Sequence, residues 1–271
     1  MGKEEIRHEL SEELTHNSVL IPAGSFLMGS TEHADASPIH EVNLSDFFMS
    51  AYMVTNRQFA LFLNSISVGN EEGGTYLWLN TFNKMCRVTL GDNGAYRARY
   101  GFETHPVAGV NWYGAYIFSL WVGGMLPTEA QMEKAIRGGK TNQLYPWGDD
   151  SPNADLVNFG ENVGSTTPVG NYPPNKYGLY DISGNLAEWC IDWYSKEYYI
   201  ASGLTTSKGP SKGSDKVIRG GSWNAGAERL KCSSRDKSWP RMGRTSVGFR
   251  PVFLNKKPPL PDLRRATITK D

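Results

Sequence analysis

Apolar positions recur along this chain in short, interrupted runs rather than in long periodic stretches. VLIPAGSFLMGS, Val19 to Ser30, sets apolar blocks on either side of Pro22-Ala23-Gly24 and predicts a strand, a turn and a second strand. DFFMSAYMVT, Asp46 to Thr55, predicts another strand. It runs into Thr55-Asn56-Arg57-Gln58, where a hydroxyl followed three residues later by an amide predicts a capping box and a helix through Phe59, Phe62 and Leu63. PVAGVNWYGAYIFSLWVGG, from Pro106, predicts a helix capped by Asn111 and stopped by Gly123-Gly124. LPTEAQMEKAIRGG repeats the design, with Thr128 and Gln131 as the capping box and Gly138-Gly139 as the stop. These last two are the main helices expected.

Elsewhere the pattern is weak. Residues 1–17 are polar and predict a short helix or a frayed lead. Between Gly69 and Tyr100, Trp78 and Phe82 are scattered among polar residues, which predicts a long surface excursion. After Gly139 come loops and short strands, YPWGDD and TTPVGNYPPNKYGLYDISGNLAEWCIDWY among them, with Trp147 expected to plug the core. No repeat shows at any period of 20 to 50 residues. The organisation expected is a polar lead (1–18), one α+β domain (19–253) with two main helices and much ordered loop, and a C-terminal tail (254–271). Within the domain, GGSWNAGAERLKCSSRDKSWPRMGRTSVGFR, Gly220 to Arg250, follows neither period: fixed-looking phrases frame chemically mixed runs.

Composition narrows the classes of function. Lys+Arg and Asp+Glu both number 28, so no overall field draws in nucleic acid or an anionic membrane, and no nucleic-acid partner is expected. No run approaches the roughly 18 to 20 apolar residues of a membrane span. Cys86, Cys190 and Cys232 show no CxxC or CxxH spacing, and His8, His16, His33, His40 and His105 show no HExxH or HxH. A zinc or histidine metal centre is therefore not expected, and at most one disulfide is available.

The phrases IPAGSFLMGS, LPTEAQMEKAIRGG, YPWGDD, NKYGLYDISGNLAEW, RGGSW and GFRPV, in this order, resemble the sulfatase-modifying factor (formylglycine-generating enzyme) family, a large variant of the C-type lectin fold. The resemblance spans Ile21 to Val252. In that family's enzymes a pair of cysteines a few residues after GGS binds copper and attacks a substrate thiol, chemistry that needs thiolates. Here the stretch after GGSW is NAGAERLK, without a cysteine, and Cys232 falls later, as a small framework side chain. The chain is accordingly expected to be no enzyme and to require no cofactor.

Another branch of the fold consists of binding domains. Fixed GGSW, Ala227, Leu230, Ser233, Arg235, Pro240 and GFR, with arbitrary residues between, resemble the variable region (about 220–252) of diversity-generating retroelement variable proteins, the treponemal ones included. The resemblance implies exchangeable ligand-binding positions at Ala225, Gly226, Glu228, Arg229, Ser234, Asp236, Lys237, Ser238, Trp239, Arg241, Met242, Gly243, Thr245 and Ser246. It further implies an unknown protein or cell-surface ligand as partner, and display at the cell surface or outside the cell through an export or lipid-attachment signal ahead of Met1. The rivals are a copper-dependent oxidase-like enzyme with displaced catalytic groups and a structural domain of a surface assembly. Sugar binding does not follow from the fold name, since no EPN or QPD triplet occurs. Oxygen-rich loops near Asn158 and Glu188 match metal-binding stretches of the family, but two ligands are short of the 6 to 8 oxygens calcium takes, and a structural calcium is left unassigned.

Overall fold

A computed structural model describes residues 2–66, 78–201 and 209–256. The expected tail falls outside the described residues from 257 onward, as does the 69–77 part of the expected surface excursion.

The N-terminal residues form α1 (Lys3–His16), a full helix. Its buried face is largely polar. Arg7 Nε donates to Trp121 O at 2.7 Å and Ser11 Oγ to Val122 O at 2.9 Å, while Leu10 and Leu14 enter the core. Those carbonyls end α3 (Trp112–Trp121), so α1 supplies partners for the C-terminal acceptors of a helix more than a hundred residues away.

β1 (Ser18–Ile21) and β2 (Gly24–Met28) flank the Pro-Ala turn. β3 (His40–Leu44) alternates strictly, with His40, Val42 and Leu44 inside and Glu41 and Asn43 outside, and it pairs antiparallel with β2. β4 (Phe47–Ser50) pairs with β1 on one side and β11 (Val252–Phe253) on the other. α2 (Asn56–Ser65) starts at the expected box: Gln58 N donates to Thr55 Oγ1 and Thr55 N to Gln58 Oε1. α3 is capped by Asn111, whose Oδ1 accepts from Gly114 N at 2.9 Å. α4 (Glu129–Arg137) carries the Thr128–Gln131 box and ends at Gly138 in the left-handed region, φ 57°. The two main helices expected thus stand beside α1 and α2, of comparable length.

Part of the expected excursion is ordered as a hairpin, β5 (Val88–Leu90) with β6 (Tyr96–Ala98). Asn64 of α2 holds it, donating to Tyr96 O and accepting from Tyr96 N, which lets Val88 and Tyr96 bury their side chains. In the stretch after Gly139 expected to hold loops and short strands, Glu188 and Trp189 lie in β7 (Ala187–Trp193), a seven-residue strand. YPWGDD turns as its Pro and Gly suggest, but the buried ring is Tyr145; Trp147 is half-buried and stacks on it at 5.2 Å.

A short helix, α5 (Tyr198–Ala201), precedes β8 (Lys216–Arg219), β9 (Arg235–Ser238) and β10 (Val247–Gly248), and the second main sheet runs β10-β7-β8-β9. β10 joins β7 in parallel and β11 joins β4 antiparallel, so residues 247–253 belong to both sheets in turn. The two largest apolar clusters among the described residues follow. One gathers Phe59, Phe62, Phe118, Trp121 and Phe249 beneath α2 and α3; the other lies between α4, β2 and β3 around Ile21, Val217 and Tyr199.

Candidate functional site

The mixed segment leaves β8 through Gly220 and Gly221, at φ 92° and 66°. A β-carbon on Gly221 would stand 2.7 Å from Arg229 O, so glycine is required for the chain to fold back on itself there. A single 3₁₀ turn (Ala227–Leu230) returns it to β9, antiparallel to β8. Residues 239–246 then loop over the start of α3, where Trp112 N donates to Pro240 O at 3.0 Å, before entering β10.

Between these strands and loops lies an open cleft of ≈310 Å³. Of the fourteen positions expected to be exchangeable, it is lined by Ala225, Arg229, Ser234, Asp236 and Ser246. Ser222, Asn224 and Arg244, which had not been singled out for the site, line it as well. Arg244 sits in RMGRTS, a run with no period, and only the fold carries it to Asp236, Nη1 to Oδ2 at 3.4 Å.

The other positions stand outside the cleft. Trp239, Met242 and Arg241 are exposed on the loop, Arg241 with its guanidinium 5.5 Å from the centre of the Tyr113 ring. Glu228 pairs with Lys231 at 2.9 Å, which also meets Glu32. Lys237 is exposed near Asp215, at 3.5 Å, Gly226 is exposed, and Thr245 is half-buried. Ser238 is buried, like the cleft serines Ser234 and Ser246. Gly243 is the most confined of the set. A side chain there would collide with Gly109 O and approach Asn80 Cβ at 2.9 Å, so any other residue at 243 requires the 80 and 109 backbone to shift.

Behind the cleft, β9 is fixed from inside. Arg235 donates to both oxygens of Glu129, at 2.7 and 2.9 Å, and to Asp35 O and Ser195 O. Arg219 reaches Glu133 Oε2 at 2.5 Å and Glu129 Oε1 at 3.3 Å, and Arg137 closes on Glu133 at 2.7 Å. Burial pushes the Glu133 carboxyl upward, but Arg219 and Arg137 outweigh it and hold the group below the ordinary carboxylate range. The exposed face of β9 therefore rests on a buried layer of paired arginines and glutamates.

The thiols lie elsewhere. Cys190 and Cys232 are buried and Cys86 half-buried, all three unbridged, and none lines the cleft. Burial pushes Cys232 up to about 12 and Cys190 well above the ordinary thiol range, so neither offers a thiolate near neutral pH. This donor set does not fit a copper-binding thiol pair. Glu188 does not fit a calcium ligand either: Arg250 Nε meets its two oxygens at 3.0 and 2.9 Å. Asn158 Oδ1 is buried without a hydrogen-bond partner.

A model of the sulfatase-modifying factor enzyme 1-like domain matches residues 4–254. The chain belongs to this family. Its fold is the C-type-lectin-like α+β fold of formylglycine-generating enzymes. Sulfatase-modifying-factor relatives carry diverse names. Over 255 residues the chain is 37% identical to a Chlamydia caviae protein named serine/threonine-protein kinase pkn1, covering 92% of this chain but only 39% of that protein, so the chain spans under half its length. It is 31% identical over 277 residues to the formylglycine-generating enzyme of Mus musculus, covering 86% and 73% of the two chains. The solved structure of Treponema denticola variable protein 1 superposes with a TM-score of 0.69 at 25% identity, over 88% of this chain and 95% of that one. Sulfatase-modifying-factor domains thus include both enzymes and variable proteins.

Proposed function

We propose that this domain is a non-catalytic binding module, displayed at the cell surface, that takes a protein or cell-surface ligand through residues 225–246, whose content is exchangeable as in retroelement-diversified variable proteins. The observation that supports it best is the cleft: five of the exchangeable positions converge on one concavity, and the strand carrying one of them, Asp236, is anchored from behind by Arg235, with Arg219 holding the neighbouring strand. Loops and strand faces held by such a scaffold can change side chains at little cost to the fold. The reading requires no cofactor and no thiol.

The test is to sequence the gene from many cells of one population. Substitutions concentrated in the codons for 225–246, with a near-identical template repeat nearby, are the expected result; an invariant segment without such a repeat overturns it. Oxidase chemistry is the rival, favoured by the mouse relative's name. Copper-dependent oxygen uptake by the purified domain with a cysteine peptide, above a no-protein control, would establish that rival instead.

A further inference from the structure

We propose that the cleft receives the carboxylate of an acidic side chain on a protein partner, with Arg244 and Arg229 as the receiving groups. This deepens the binding reading above and rests on it for the place of the site.

Three buried guanidiniums are already committed to carboxylates. Arg235 meets Glu129 at 2.7 Å, Arg219 meets Glu133 at 2.5 Å, and Arg250 meets Glu188 at 2.9 Å. Arg229 and Arg244 differ. Arg229 is exposed and has no carboxylate partner among the described residues. Its Nη1 donates to Arg235 O at 2.8 Å, which holds the group at the wall of the cleft. Arg244 reaches Asp236 Oδ2 and Lys237 O only at 3.4 Å, both long for a charge-assisted bond. A guanidinium carries five donors in a planar fork, so each has N–H groups left for a ligand, and bidentate carboxylate binding is the geometry that fork fits.

Charge points to a monoanion. Besides Arg219, which is committed to Glu133 and Glu129, the lining holds two under-used cations and one carboxylate, Asp236, and the buried layer that Arg219 joins holds three arginines (137, 219, 235) against two glutamates (129, 133). Serine hydroxyls at 222, 234 and 246 complete a polar wall. At ≈310 Å³ the cleft is at the small end of the range for ligand sites, which suits one side chain rather than a folded surface. Arg244 is not among the exchangeable positions, so it would remain as a fixed anchor while residue 229 and its neighbours change.

The experiment titrates the purified chain with a capped pentapeptide, Gly-Gly-Glu-Gly-Gly, its Gln counterpart and its phosphoserine counterpart, followed by NMR shifts. The Glu peptide should bind at least about tenfold more tightly than the Gln peptide, and raising salt from about 0.05 to 0.5 M should weaken it. Arg244→Gln and Arg229→Gln should each weaken binding and together abolish it, with melting temperatures unchanged. Equal binding of Glu and Gln peptides, no binding of either, an unaffected double variant, or tighter binding of the phosphoserine peptide would overturn the proposal. Sequence variation at 225–246 without acidic-peptide binding would sink this inference alone; acidic-peptide binding in an invariant segment would sink the variable-site reading alone.

Discussion

Asp181 offers a test of how the fold handles charge. It sits 6% exposed at φ 49°, with Oδ2 accepting from Gly170 N at 2.7 Å and Oδ1 lacking a partner. Burial pushes its carboxyl up to about 6, against the opposing pull of the Gly170 N–H and of Arg250. An unfolded aspartate titrates near 3.9. Because the folded value is raised, the folded chain binds the proton more tightly. The associated stability is fully present below about pH 3.9 and is lost as pH rises through about 6. A shift of about 2 units corresponds to about 3 kcal/mol, which the ionised carboxylate costs the fold at neutral pH. Asp181→Asn keeps an acceptor for Gly170 N, tolerates the left-handed backbone and abolishes the titration. Its NH₂ inherits the partnerless position, so 3 kcal/mol is a ceiling and about 1–2 kcal/mol the expected gain at pH 7.5. At about 2–4 °C per kcal/mol for a domain of this size, the melting temperature should rise by several degrees. Near pH 3.5 the gain should vanish. Urea denaturation of both proteins across this range measures it. Glu188 and Arg250 face the same region in both proteins, and the Asp181 charge adds to the upward push on Glu188, so the pH-dependent difference reports the loss of the 181 carboxylate together with that coupling. A difference that stays constant with pH, or a destabilised variant at pH 7.5, would refute the reasoning.

Further outcomes follow from the same contacts. Phe249→Ala removes a fully buried ring lying edge-on to Phe118 at 5.3 Å and should cost about 3–5 kcal/mol by denaturant titration; Trp223→Ala, among Met53, Met85 and Leu186, should fall in the same range. Arg219→Ala leaves Glu133 and Glu129 buried with one fewer cation and should cost about 3–5 kcal/mol. Joint exchange of Ala225, Asp236 and Thr245 for other small or polar residues should leave the melting temperature within a few degrees. Gly243→Ala, a smaller change, should lower it more, because the new methyl meets the Gly109 carbonyl.

Much of the frame could be read directly because its signals are local. The caps at Thr55, Asn111 and Thr128 act within three residues, and each formed as its spacing required. α1 concealed its place in the core because its inward face carries Arg7 and Ser11, whose partners close a distant helix. The 88–98 hairpin has three-residue strands too short to show a period, and Asn64 supplies the order they lack. In the mixed segment, three serines looked like surface residues yet are buried, since a hydroxyl is small enough to sit beneath a strand. Arg244 had no signal at all: its role arises only when β9 and the loop after it come together.

The order of elements along the chain has a genetic consequence. Residues 247–253 come after the mixed segment, yet they close both sheets, and they carry Phe249 into the larger core and Arg250 to Glu188, Ala51 O and Tyr180 O. A copying error that introduces a stop codon or shifts the reading frame within 225–246 therefore deletes the closing strands along with the altered residues. Such a product leaves the Phe59–Phe118 core open and Glu188 buried without its cation, a loss larger than a typical domain's whole stability margin. Completion of the fold thus depends on an intact reading frame through the segment: substitutions at its exposed positions leave the closing strands in place, whereas truncations and frameshifts yield unfolded chains.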